Sequence, residues 1–316
     1  MGKIKFGVFL PFYAFKAKSP VENFNHIKNL VLESERLGYD SVWIDDHLMF
    51  GSWPILESWT TLSTLASVTR KIKVGTMVSC NTHRNPALLA KAAATLDVLS
   101  NGRLEFGIGI GAQESEHKAY GFSFPKPKVR AEMLSEALEI ITTLWTKDKA
   151  NFQGKHYTLN EAICEPKPTQ IPHPPIIVGG SGERFTLRAT AKYANRFDWG
   201  YLPSIQEYIE KLKLLEKHCK SIGRDFSEIE KSCWPAGQIL IAKSQKELDG
   251  KIAEIKPKDM TVEDFRRTTL AISPEECLRA LEDYVDLGVT YFMLFFADLP
   301  KPDSLSLFAR VLGKKL

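Results

Sequence analysis

A short apolar segment followed by an amphipathic stretch of helical period recurs along the whole chain, and this alternation limits the fold more than any other feature. The apolar segments fall at 4–10, 41–44, 72–78, 103–110, 175–178, 196–201, 230–242 and 289–296. Helical patterns separate them, at 21–37, 55–69, 86–99, 129–145, 183–194, 205–222, 245–255 and 274–287, and a last one follows at 303–312. The apolar segments are continuous runs with no polar–apolar alternation, as in strands covered on both faces in parallel sheets. Strand–helix repetition implies right-handed βαβ units. Eight such units favour a closed (β/α)8 TIM barrel over an open sheet. Gly38, Pro86 and the Asn101-Gly102 pair punctuate helix ends. The 151–158 segment reads as a hairpin, and 165–175 as a proline-rich surface excursion. All 316 residues read as one domain.

Composition narrows the function. The formal net charge is +4, with basic residues scattered and no long basic run. Nucleic acid is therefore not expected as a partner. The five cysteines stand far apart with no C-x-x-C, so neither a disulfide framework nor a metal site is expected. The apolar runs are too short to span a bilayer, and no signal-like segment opens the chain. The expectation is a cytoplasmic protein acting on a small molecule.

In such a barrel, chemistry sits where the strands end at their C-termini. After the second strand come Asp45-Asp46-His47. A carboxylate beside an imidazole favours the protonated ring and fixes its tautomer, which suits proton transfer. The plainer reading is a loop cap in which Asp46 bonds backbone amides. After the third strand, Thr76, Met77 and Val78 could floor a flat ring, or simply line the barrel. Gly107, Gly109 and Gly111 alternate along and beyond the fourth strand and lead to Ala112. Glycine weakens a strand, so the pattern suggests room for a large group close to the backbone. The Gly179-Gly180-Ser181-Gly182 loop after the fifth strand is the best anion-binding candidate. H-E-x-x-H and G-x-S-x-G do not occur, which removes the usual metallohydrolase and α/β-hydrolase readings.

The stretches GVFLP, LGYDSVWIDDH, KIKVGTMVS, RNPALLAKAAATLDVLSNGRLEFGIGIG, EHKAYG and PPIIVGGSGERFTLRATAKYAN together cover nearly the whole chain. In them the sequence resembles the luciferase-like monooxygenase superfamily, above all its branch that uses the deazaflavin coenzyme F420. The resemblance implies a luciferase-like barrel that carries a hydride between coenzyme F420 and a small organic substrate. It implies Asp46 and His47 at the reactive edge of the ring, with His47 exchanging the proton. It also implies a cis peptide at Met77-Val78 and a phosphate contact at Val178, Gly179, Gly180 and Ser181. Thr76, Gly109, Gly111 and Ala112 complete the expected cofactor set. The glucose-6-phosphate dehydrogenase branch carries a glutamate where this chain has Ala112, which argues against a sugar phosphate. The alternatives are an FMN-dependent monooxygenase and a flavin-binding relative without catalysis. Members of the family commonly form homodimers.

Overall fold

The structure, a computed structural model, describes residues 3–11, 15 and 19–312. Eight parallel strands form its centre: β1 Lys5–Phe9, β2 Ser41–Ile44, β3 Lys73–Thr76, β4 Leu104–Gly109, β5 Ile176–Gly179, β6 Arg196–Asp198, β7 Ser232–Cys233 and β8 Tyr291–Leu294. Ladder pairing runs β7-β8-β1-β2-β3-β4-β5-β6. The bridges Arg196↔Glu230 and Tyr201↔Trp234 bring β6 back against the β7 segment and close the barrel. Each expected strand segment overlaps one of these eight.

The helices begin and end where local chemistry dictates. Ser19, Asn85, Ser204 and Ser273 cap helices Pro20–Leu37, Pro86–Leu99, Ile205–Ser221 and Pro274–Asp286 by accepting first-turn amides. Gly38 ends the first of these in the left-handed region, at φ 85°. The expected hairpin is present, pairing Ala150–Gln153 with Thr158–Ala162.

Three expectations need correction. The 230–242 segment is not one strand: Ser232–Cys233 belongs to the barrel, whereas Gln238–Ile241 pairs outside it with Thr269–Ile272. Thr269–Ile272 falls between two expected helices, where no strand was expected. Its register with Gln238–Ile241 buries Leu240 and Ala271 in a small separate core with Phe265. The helix expected from 183 starts at Thr186, because 183–185 form a turn after the glycine loop. Among the described residues no helix is long and apolar enough to cross a membrane.

The barrel interior is filled at two levels. Phe9, Trp43, Ile177, Tyr291 and Met293 form the apolar inner layer. At the strand starts, Glu105 accepts from Arg196 and lies 3.2 Å from Lys73 Nζ. The Arg196 guanidinium also stacks 3.7 Å from the centre of the Tyr291 ring. Burial opposes charge on Glu105, but Arg196 and Lys73 outweigh it and hold the carboxyl below its ordinary range. This plug closes the end opposite the mouth and leaves the C-terminal strand ends free to build a site.

Candidate active site

A cleft of about 260 Å³ opens at the mouth, on the side built by β2, β3, β4 and β5. Asp46, His47, Met77, Val78, Gly109, Gly111, Ala112, Gly179 and Gly180 all line it, as the sequence reading expects. Thr76, Val178 and Ser181 do not appear in its wall. The Thr76 hydroxyl lies 2.7 Å from Ser79 Oγ and donates to the Gly107 carbonyl, so it fixes the chain after β3. Val178 is fully buried in the outer core, because its neighbour Ile177 takes the inward position and side chains alternate along a strand.

Asp46 and His47 play different parts. The Asp46 carboxylate accepts two bonds from Arg84, at 2.5 and 2.9 Å, one from the Cys80 amide at 2.8 Å, and one from Ser58. Burial works against its charge, yet the Arg84 ion pair and these donors prevail and hold its carboxyl below the ordinary range. Asp46 therefore ties β2 to the chain after β3. His47 pairs elsewhere: its Nδ1 lies 3.0 Å from Oε2 of Glu116. Glu116 is buried on the short helix Glu114–Ala119, and its other oxygen accepts from the Leu48 amide. The expectation that the neighbouring aspartate orients His47 is thus corrected. Successive residues at a strand exit point different ways, and Asp46 is already saturated. Glu116 sits four residues beyond Ala112, so its turn of helix delivers a carboxylate across the cleft.

The glycines also have a nearer purpose than ligand clearance. The Met77–Val78 peptide is cis, as the resemblance implies. Val78 presses on two strands: a Cβ on Gly179 would lie 2.7 Å from its Cγ2, and one on Gly109 2.8 Å. A Cβ on Gly107 would overlap the Thr76 carbonyl at 2.0 Å. The alternating glycines admit the chain after β3, which then presents Met77 and Val78 to the cleft. Gly180 adopts φ 105° and donates its amide to the Asp198 carbonyl at 2.7 Å, so that amide is not offered to a phosphate.

Sequence reasoning missed three further features. Arg84 is one of them, joining Asp46 and Glu57. Asp198, at the end of β6, accepts from Trp234 Nε1 at 2.8 Å and the Gly200 amide at 2.9 Å. Burial outweighs both bonds and pushes its carboxyl up to about 6. The third is a convergence of Cys80, His83 and His117 at the cleft wall. Burial pushes the Cys80 thiol up to about 11 and holds the His83 imidazole below its ordinary range. None of these three residues was singled out in the sequence, where no metal was expected at the cysteines. Only folding brings position 117 to the 80–83 turn.

Residues 4–256 match the family model of the luciferase-like monooxygenases. An F420-dependent glucose-6-phosphate dehydrogenase of Kineococcus radiotolerans is 30% identical, over 87% of this chain and 89% of its own. Among solved structures, an F420-dependent secondary alcohol dehydrogenase in complex with an F420-acetone adduct superposes with a TM-score of 0.80 at 21% identity, covering 98% of both chains. The monooxygenase RslO1 from Streptomyces bottropensis superposes with a TM-score of 0.81 at 20% identity, over 98% of this chain and 99% of its own.

Proposed function

The chain belongs to the luciferase-like monooxygenase family, and from that premise we propose that it is an oxidoreductase transferring a hydride between coenzyme F420 and a small organic substrate. The observation that carries the reading is the His47–Glu116 pair, 3.0 Å apart, in the wall of the cleft that Met77 and Val78 also line. The kinship to F420-dependent glucose-6-phosphate dehydrogenases supports the choice of cofactor.

The cleft fits a flat ring. Gly109, Gly111, Gly179 and Gly180 contribute backbone without side chains to its wall, and Met77 and Val78 supply apolar surface. When bound, the deazaflavin supplies hydride acceptance or donation at its ring carbon. The protein supplies the rest. Val78, held between Gly109 and Gly179, keeps one face of the cleft firm and apolar. Glu116 fixes the His47 ring, so that Nε2 is the nitrogen left to give or take the substrate proton. Asp46 and Arg84 act as positioning residues that hold the His47 segment in place.

Ala112 stands where the glucose-6-phosphate dehydrogenase branch carries a glutamate, which argues against a sugar phosphate as the substrate. A homodimer and a cytoplasmic location belong to the same proposal. A structural neighbour solved in complex with FMN, the oxygenating constituent of a Baeyer–Villiger monooxygenase, supports the second reading, in which reduced FMN activates oxygen in this cleft.

Single-turnover kinetics with His47→Ala test the proton role. Loss of positioned acid–base catalysis lowers the rate of the chemical step by about 10²- to 10⁴-fold. An unchanged rate removes His47 from the mechanism.

A further inference from the structure

We propose that Cys80, His83 and His117 form a binding site for a divalent metal ion of the zinc class. This inference does not depend on the choice of organic cofactor. Among the described residues it is the one group of three whose ligand atoms converge, all lying within 4.8 Å of one another. Cys80 Sγ stands 3.7 Å from His117 Nε2. All three residues are buried, at 6%, 7% and 0% exposure.

His83 is the independent sign of a missing ligand. Both of its ring nitrogens are buried without a hydrogen-bond partner. A buried polar atom left unpaired is costly, so a stable protein seldom leaves two on one ring. A metal ion would take one of them. His117 is already arranged as a ligand. Its Nδ1 lies 2.7 Å from the Gln113 carbonyl, which places the proton on that nitrogen and leaves the Nε2 lone pair facing Cys80. Metal-binding histidines are oriented by such an outer-sphere carbonyl.

The surroundings also suit a cation. The Asp46 carboxylate accepts from the Cys80 amide, and Glu116 immediately precedes His117. Arg84 is committed to Asp46 and Glu57. Thr82 Oγ1 lies 2.6 Å from His117 Nε2 and 3.2 Å from Cys80 Sγ. With metal bound, that hydroxyl gives up Nε2 and turns to donate to the thiolate. Gly111 leaves the group room, since a Cβ there would lie 2.6 Å from Cys80 Sγ and 2.9 Å from Thr82 Oγ1. One thiolate and two imidazoles make a tetrahedral set with a fourth position, which faces the cleft and takes water or an oxygen of a bound molecule.

The test is cobalt titration of the untagged full-length chain under reducing conditions. The expected result is one equivalent of Co²⁺ per chain, a thiolate-to-cobalt charge-transfer band, and bleaching by Zn²⁺. Cys80→Ser abolishes the band and His83→Gln weakens binding by more than about 10-fold. Thr82→Ala keeps all three ligands and therefore keeps the band, which controls for folding. Absence of a band in the unmodified chain overturns the site. So does a band of equal strength in Cys80→Ser, which would trace it to another cysteine.

Discussion

His47 and Glu116, 69 positions apart in sequence, meet at 3.0 Å between Nδ1 and Oε2, with the glutamate side chain 2% exposed and the histidine 24%. A buried carboxylate thus grips a half-accessible ring from one side and leaves the other nitrogen toward the cleft. In Glu116→Gln the ring keeps its place but loses its charged partner. We expect kcat to fall by about 10- to 100-fold, less than for His47→Ala, with KM for the coenzyme little changed. Steady-state kinetics of both variants check this ordering, and an unimpaired Glu116→Gln enzyme would remove the orienting role.

Asp46 is predicted to fail differently. Its carboxylate is buried and bonded to Arg84, Ser58 and the Cys80 amide. Breaking a buried pair by removing one partner costs about 3–5 kcal/mol. Asp46→Ala should therefore lower the urea midpoint markedly, where His47→Ala does not. Equal midpoints for the two variants would contradict the division of labour drawn between them.

Val78 sets the third expectation. A methyl group on Gly179 would lie 2.7 and 2.8 Å from the two Val78 methyls, too close to keep the present packing. Overpacking of this kind costs about 1–3 kcal/mol. Gly179→Ala should be destabilised by that amount and should bind coenzyme more weakly, because Val78 must move into the cleft. Unfolding and ligand titration of the same sample check both effects.

How much of this was legible beforehand depends on distance in sequence. The eight strands could be read because each is a local apolar run, and the helix ends at Pro86 and Gly38 because they are local chemistry. The meeting of His47 with Glu116, and of Cys80 and His83 with His117, depends on how separate strands are brought together. Asp46 was assigned to His47 by adjacency, but the fold gives it to Arg84. Ligand clearance explained Gly109 in the sequence, whereas its nearest constraint is Val78. The Thr269–Ile272 strand was missed because it is short and lies directly after a helix.

Asp198 gives the chain a predictable pH response. Its carboxyl is raised by burial from an ordinary 3.8 to about 6. Below the lower value it is protonated in both folded and unfolded chains. Between the two values only the folded chain keeps the proton, so this group's contribution to stability falls as pH rises through that window. Above about 6 the loss is complete, at roughly 3 kcal/mol. The stability of the unmodified chain minus that of Asp198→Asn should decline between about pH 4 and 6 and then level off. A difference independent of pH would show that Asp198 carries its charge without cost.

We propose that the His47 cleft serves coenzyme F420. Anaerobic titration of the purified chain with coenzyme F420 and, separately, with FMN tests it most directly, read by absorbance and fluorescence. Coenzyme F420 should bind saturably, more weakly in Gly179→Ala, and FMN should bind much more weakly. Tight FMN binding with no binding of coenzyme F420 would contradict it.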